Sequence, residues 1–366
     1  MLHVVHASTH ADASDQGSSP RRLCVVIPAY NEELLVGRCV QSVLAAGVRP
    51  EDVYVVDDRS SDGTADRVRA FEGVNLLSNP VNVGKLRGLQ DVIARFDLLG
   101  RYELLSLLDA DSHVAPGYFT AVLTRFAEAP DAALVCGAPY SEPGNWVTAY
   151  RALEYAITFQ VYRKGQDRLG VITVAPGCAS TYRTSVLRQL DWDGRTLVED
   201  MDLTIQIHRK RLGSVRYTPD ATAYTQDPRT LREYIGQLTR WYSGTWQVTR
   251  LHKVPFGMQR IDAELALLLG EGLAYAVLVA LLPLLIWLFP AALLSAFLFD
   301  QAIWLGLVVF TSVRMKRPDI LIYSPAFLLL RVINCVVLLQ TFWSEIVRSR
   351  RLEQWFSVSR YREQVS

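Results

Sequence analysis

Residues 273–299 contain no charged side chain, and that stretch limits the fold more than any other part of the chain. As a helix rising ~1.5 Å per residue it would run about 40 Å, which exceeds the ~30 Å hydrocarbon core of a bilayer. Pro283 and Pro290 offer places to break it, so the expected layout is one span over about 265–289 and a second over 291–313. Glu271 and Asp300 fall within these spans, and each must face protein, an aqueous cavity or the interface. Arg314-Met315-Lys316-Arg317 follows and marks a cytoplasmic edge. In the last apolar segment, 320–343, the residues Ser324, Arg331, Asn334, Thr341 and, just beyond it, Glu345 fall roughly on one helical face. That pattern suits a helix lying along the membrane or a span lining a polar path. Two full spans return the chain to its starting side, which favours the interfacial helix. Arg348, Arg350, Arg351, Arg360 and Arg362 then belong to a basic cytoplasmic tail, 348–366.

The first two-thirds has a different character, with apolar runs alternating with charged stretches. The formal net charge of the whole chain is +1, so no excess of positive charge points to nucleic acid. Five scattered cysteines without a CxxC pair argue against a zinc site or a disulfide framework. Residues 1–22 lack an apolar core and read as a flexible tail rather than a signal peptide. Its His3, His6 and His10 are better explained as solvated side chains than as metal ligands.

Leu23-Cys24-Val25-Val26-Ile27-Pro28 and Val53-Tyr54-Val55-Val56 read as buried strands. Further strands are expected over 74–77, 104–108 and 133–136. Helical patterns fall at 32–46, 65–71, 84–96, 146–163 and 201–211. This rhythm means βαβ units and an α/β domain with a mainly parallel sheet. Ligands of such sheets sit beyond the carboxyl ends of the strands. Pro28-Ala29-Tyr30-Asn31, Asp57-Asp58 and Asp109-Ala110-Asp111 all fall there.

Asp109 and Asp111 stand at i, i+2, so both carboxylates can point the same way. Two hard oxygen donors on one side suit Mg²⁺ or Mn²⁺ held with a substrate diphosphate, although Asp after a strand is also ordinary. Of Asp57 and Asp58, one can meet a nucleobase or ribose while the other caps the following turn. Lys85 offers a point charge to a phosphate, or is a solvated helix lysine. Glu199-Asp200 opens a helix, which the helix dipole alone would favour; a carboxylate there can also deprotonate an acceptor hydroxyl. Gln237, Arg240 and Trp241 share a helical face. They suit hydrogen bonding, a diphosphate contact and a flat platform for a sugar, or simply a membrane-interface belt.

Together these residues resemble the family 2 glycosyltransferases, inverting enzymes with a GT-A catalytic domain, over about 23–246. Val26-Ile27-Pro28-Ala29-Tyr30-Asn31-Glu32 looks like the opening strand and nucleotide-contacting loop, and 55–64 like the acidic nucleotide-binding motif. Asn82-Val83-Gly84-Lys85 resembles the diphosphate-side segment, Asp109-Ala110-Asp111 the metal-binding D-x-D, and Val198-Glu199-Asp200 the acceptor-base motif. Gln237-Leu238-Thr239-Arg240-Trp241 is similar to the Q-x-x-R-W of membrane-bound members, which include hyaluronan, chitin, cellulose and poly-N-acetylglucosamine synthases.

The resemblance implies a GT-A nucleotide-sugar-binding domain over 23–250, interfacial and transmembrane helices over 251–347, and a catalytic domain at the cytoplasmic face of the cell membrane in a multi-pass chain. It implies a UDP-linked donor bound by Pro28, Tyr30, Glu32, Asp57, Asp58, Lys85 and Asp109. Asp109 and Asp111 would hold Mg²⁺ or Mn²⁺, and Asp200 would be the base. Glu199, Gln237, Arg240 and Trp241 would serve the acceptor and diphosphate. The acceptor implied by the resemblance is a growing β-linked polysaccharide. The chain shows no membrane helices ahead of the catalytic domain and only a small membrane module, which also fits single addition to a lipid or polyprenyl-linked acceptor. A silent membrane scaffold would not need to keep Asp109, Asp111 and Asp200.

Overall fold

The computed structural model describes residues 21–353 and 359–361. Eight strands form one mixed sheet in the order β3-β2-β1-β4-β7-β6-β8-β5. Strands β1 (Arg21–Ala29), β2 (Val53–Asp57), β3 (Asn75–Ser78) and β4 (Tyr102–Leu107) are the parallel half. Beyond β4 the pattern changes. β7 (Ser180–Arg183) lies antiparallel to both β4 and β6 (Ala132–Ser141). β6 runs parallel to β8 (Ser214–Thr225), which is antiparallel to the short β5 (Ser112–Val114). The sheet is therefore mixed, with the parallel pairings in the majority.

Side chains alternate across the strands, and both faces are covered. Val25 and Ile27 pack with Val36, Cys39 and Val43 of α1 (Val36–Ala45). Cys24 and Val26 face the other way, onto Leu89 and Val92 of α3 (Lys85–Arg95). The short α2 (Thr64–Arg69) and α4 (Leu98–Arg101) complete the first half, and α5 (Tyr118–Glu128) covers β8. Truncating one of these fully buried side chains to Ala costs roughly 2–5 kcal/mol.

The helix expected over 146–163 is α6 (Trp146–Ile157), which continues through a π-helical stretch, Thr158–Tyr162, into α7 (Arg163–Leu169). Its start is fixed by Asn145, whose side chain accepts from Val147 and Thr148 while Thr148 caps in return. After α8 (Thr184–Leu187), α9 (Glu199–Lys210) opens with Glu199, Asp200 and Asp202 in its first turn. α10 (Leu231–Leu251) carries the Q-x-x-R-W residues.

Three C-terminal helical stretches, Arg260–Leu288, Pro290–Met315 and Ser324–Val347, are long and apolar enough to cross a membrane. The first two are α11 (Arg260–Leu288) and α12 (Pro290–Met315). Pro283 does not break α11, and the chain turns at Phe289 instead. After α13 (Pro318–Ile322), α14 (Phe327–Phe342) differs from both. A third of its apolar window is buried within the protein, against 11% for α11 and 6% for α12. It lies along α10: Asn334 meets Tyr234 and Tyr242, Thr341 meets Trp246, and Glu345 meets Gln247. Asp300, within the uncharged neighbourhood of α12, pairs with Arg331 of α14.

The amino-terminal tail expected over 1–22 lies outside the described residues as far as position 20, and His3, His6 and His10 with it. Arg21 and Arg22 belong to β1. Arg362 of the basic tail is also outside the described residues.

Candidate active site

The ends of β1, β2 and β4 open on a cavity of about 1750 Å³. Its lining includes Pro28, Tyr30, Glu32, Asp58, Lys85, Asp109, Asp111, Glu199, Asp200, Gln237, Arg240 and Trp241. Residues separated by more than 200 positions thus share one space. Asp57 is the exception. It is buried at the end of β2, and its carboxylate accepts from the Ser60 N–H at 3.1 Å, capping the turn.

Asp58 shapes the donor side. One carboxylate oxygen accepts from Asn79 Nδ2 (3.0 Å) and the Val83 N–H (2.9 Å), and the other from the Gly84 N–H (2.7 Å). Gly84 has φ 85°, a region that favours glycine, and it delivers Lys85 as the first residue of α3. The β1 and β2 loops are tied together as well: Asn31 Oδ1 accepts from the Ser61 N–H at 2.8 Å, and the Asn31 N–H donates to Ser60 Oγ at 2.8 Å.

Lys85 joins two motifs. Its Nζ is 2.9 Å from Asp109 and 2.7 Å from Glu199. Burial favours the neutral amine, yet these two carboxylates hold Lys85 well above the ordinary lysine range. Against the opposite pull of burial, Lys85 likewise keeps Asp109 below the usual carboxylate range. Asp111 is raised by burial and by Asp109, only partly offset by Arg360, which stands 3.1 Å away.

Asp200 behaves differently from Asp109. Its Oδ1 accepts from the Met201 N–H (2.8 Å) and its Oδ2 from the Gly177 N–H (3.2 Å). Burial and the neighbouring Glu199 push it up to about 6, despite Lys85. Gly177 marks the point where the groups converge. A Cβ there would lie 3.4 Å from Lys85 Nζ, 3.8 Å from Asp109 and 3.9 Å from Asp200. A larger side chain would fill the point where Lys85, Asp109 and Asp200 meet.

The opposite wall comes from helices. Arg151 of α6 is 2% exposed. It donates to Gln237 (2.6 Å) and Glu154 (2.7 Å), and its guanidinium lies 4.4 Å from the centre of the Trp241 ring. Glu154 accepts from Asn334 Nδ2 at 3.3 Å, so α14 is part of this wall. Burial raises the Glu154 carboxyl. Asp227, 3% exposed, accepts from the Tyr155 hydroxyl at 3.0 Å; among the described residues its Oδ2 has no hydrogen-bond partner. The sequence reading missed Arg151, Glu154, Asp227 and Asn334. Asn334 had been noticed only as a polar residue in an apolar helix.

Oxygen donors at a strand end, matched by the protein's own cations, suit a divalent cation bound with a diphosphate. Among the described residues no trio of acidic, His or Cys side chains stands close enough to hold a metal by itself. Asp109 and Asp111 offer two carboxylates, fewer ligands than a divalent cation takes.

The fold is that of a GT-A-type α/β protein, with carboxylates gathered at its strand ends. The solved structure of the mannosyltransferase PcManGT from Pyrobaculum calidifontis, in complex with GDP-Man and Mn²⁺, shares the fold at a TM-score of 0.59 and 18% identity, covering 89% of this chain and 88% of that one. The chain belongs to the family described as Glycosyltransferase like family 2, which matches residues 20–244. It is 25% identical over 231 residues to the poly-beta-1,6-N-acetyl-D-glucosamine synthase of Staphylococcus epidermidis, covering 61% of this chain and 54% of that protein. It is 28% identical over 290 residues to an N-acetylglucosaminyltransferase of Rhizobium meliloti (strain 1021), covering 71% of this chain and 66% of that protein. The chain thus spans between about half and two thirds of the length of these curated relatives.

Proposed function

We propose that the protein is a membrane-bound inverting glycosyltransferase that moves a sugar from a UDP-linked donor to the end of a growing β-linked polysaccharide. The observation that carries this reading is Lys85, which bridges Asp109 of the donor rim and Glu199 of the base motif within one cavity. In this reading Tyr30, Glu32 and Asp58 line the nucleotide side, and Lys85 with Arg240 meets the diphosphate. Asp109 and Asp111 would hold Mg²⁺ or Mn²⁺, which would supply positive charge against the leaving diphosphate. Asp200 takes the proton of the acceptor hydroxyl as that oxygen attacks the anomeric carbon from the face opposite the leaving group. A single displacement inverts that carbon. Trp241, steadied by Arg151, offers its ring to the acceptor sugar.

The domain limits follow the same reading: 23–250 catalytic, 251–347 interfacial and membrane helices, and a cytoplasmic tail beyond. α11 and α12 cross the cell membrane, α14 lies along its cytoplasmic face against α10, and the catalytic domain is cytoplasmic. The similarity to a polysaccharide synthase supports the polymer acceptor. One observation favours a second reading, a lipid-linked acceptor: Asn334, on an apolar helix, lines the cavity.

Product size separates the two. The full chain in mild detergent, with lipid, Mn²⁺ and labelled UDP-sugars given one at a time, is expected to yield a high-molecular-weight ladder. A single organic-extractable product would replace the polymer acceptor with a lipid one. No transfer, with no UDP binding, would overturn the enzyme reading in favour of a silent scaffold.

A further inference from the structure

Arg360 is the feature of this site that the proposed mechanism leaves unexplained. From sequence it belongs to a basic tail; in the structure it lies in the cavity. Its guanidinium meets Glu32 through Nε (2.8 and 2.9 Å) and Nη2, and the same Nη2 stands 3.1 Å from Asp111 Oδ2. Both carboxylates are well covered, with side-chain exposures of 8% and 16%. Charge-assisted pairs of this forked geometry are among the stronger hydrogen bonds a protein makes.

The contact is built, not incidental. The Tyr361 N–H donates to Gln226 Oε1 at 3.1 Å, and the Tyr361 carbonyl accepts from Gln226 Nε2 at 2.6 Å. Glu233 accepts from the Ser359 N–H (3.1 Å) and the Tyr361 hydroxyl (2.9 Å), and Arg229 lies 4.6 Å from the centre of the Tyr361 ring. Burial alone would raise Glu233, yet the hydrogen bonds from Ser359, Tyr361 and Thr230 hold it down at about 2. Residues 359–361 thus dock on the loop between β8 and α10 and present one cation to the D-x-D.

Asp109 already faces Lys85, and Asp111 faces Arg360. We infer that Arg360 is an internal stand-in for the divalent cation, so that the docked tail and the metal compete for Asp111 and the site is held closed to metal until the tail gives way. A buried carboxylate that loses its guanidinium is left uncompensated, and a divalent ion is the replacement its oxygens favour. Coupling of this kind is reciprocal: whatever factor Arg360 takes from metal affinity, bound metal takes from docking of the tail. The inference rests on the reading of Asp111 as a cation ligand.

The test needs no acceptor and no turnover. Mn²⁺ binding to the full chain in detergent, without nucleotide, is measured by the loss of the free-ion paramagnetic resonance signal. Arg360→Ala is expected to bind Mn²⁺ about tenfold more tightly than the native chain, the effect of removing one charge-assisted competitor. Arg360→Lys, which keeps the charge but loses the fork, should fall between them. Mn²⁺ should in turn speed tryptic cleavage after Arg360 in the native chain. Unchanged Mn²⁺ affinity in Arg360→Ala overturns the inference. So does weaker binding, which would make Arg360 a helper of the metal rather than its rival. No Mn²⁺ binding by either the native chain or Arg360→Ala, or undiminished binding by Asp111→Ala, would overturn the metal assignment itself, which separates failure of the site reading from failure of the competition.

Discussion

The two walls of the cavity are built on different principles. The donor rim is made by strand ends and the loops that follow them, between Pro28 and Asp111, and each of its key carboxylates has a charged or backbone partner nearby. The acceptor wall is made by α6, α10, α14 and the loop after β8, and its polar groups are deeply buried with some capacity left unused, as at Asp227 Oδ2. A compensated rim can exchange one cation for another without losing its shape. A buried network cannot, because a group that loses its partner keeps its desolvation penalty. In the proposed reading, the strand-end side suits exchange of charged groups and the helical side a fixed platform.

The contrast can be broken at its seam. Asp200→Asn keeps the side chain's shape and removes its basicity. Transfer is expected to fall by about 10²–10⁴ while UDP binding by calorimetry stays the same; normal turnover would remove Asp200 from the base role. Lys85→Met comes next, because it unpairs Asp109 and Glu199 together. UDP affinity should drop by roughly 10- to 100-fold, the scale of losing a buried charge-assisted contact. An unchanged affinity would detach Lys85 from the diphosphate.

On the acceptor side, Arg151→Met withdraws the partner of Gln237 and the cation over Trp241. The acceptor KM is expected to rise about tenfold, a loss of ~1.4 kcal/mol, with UDP affinity unmoved. If both constants shift together, the two walls are one cooperative unit and the contrast drawn above fails. The smallest effect is pH dependence. Burial and Glu199 place Asp200 at about 6, and the deprotonated form is the base, so the rate should rise with pH through about 6 and level off above 7. At pH 5 it should be about tenfold below the plateau. A profile flat between pH 5 and 7 would place the rate-limiting proton elsewhere.

Much of the rim could be read along the chain. Apolar runs ending in Pro28, Asp57-Asp58 and Asp109 placed three strands and their rim, and β1, β2 and β4 lie as expected. Of the two acids expected at the nucleotide, Asp58 lines the cavity while Asp57 caps a turn outside it. The second half of the sheet was less legible. β8 runs for twelve residues with polar and charged positions interspersed, and its partners β6 and β5 are remote in sequence.

Sequence by itself determined the α/β alternation, the acidic strand ends, the apolar helices and the family, because each depends on patterns within a few neighbouring residues. Only the tertiary structure decided that β7 turns the sheet antiparallel, that α14 lies on α10, that Arg151 supports Trp241 and that Arg360 reaches Asp111. Those contacts join residues up to hundreds of positions apart. Local propensity and periodicity carry no information about which distant charge will neutralise a buried one; that choice is made when packing removes the water that would otherwise have screened it.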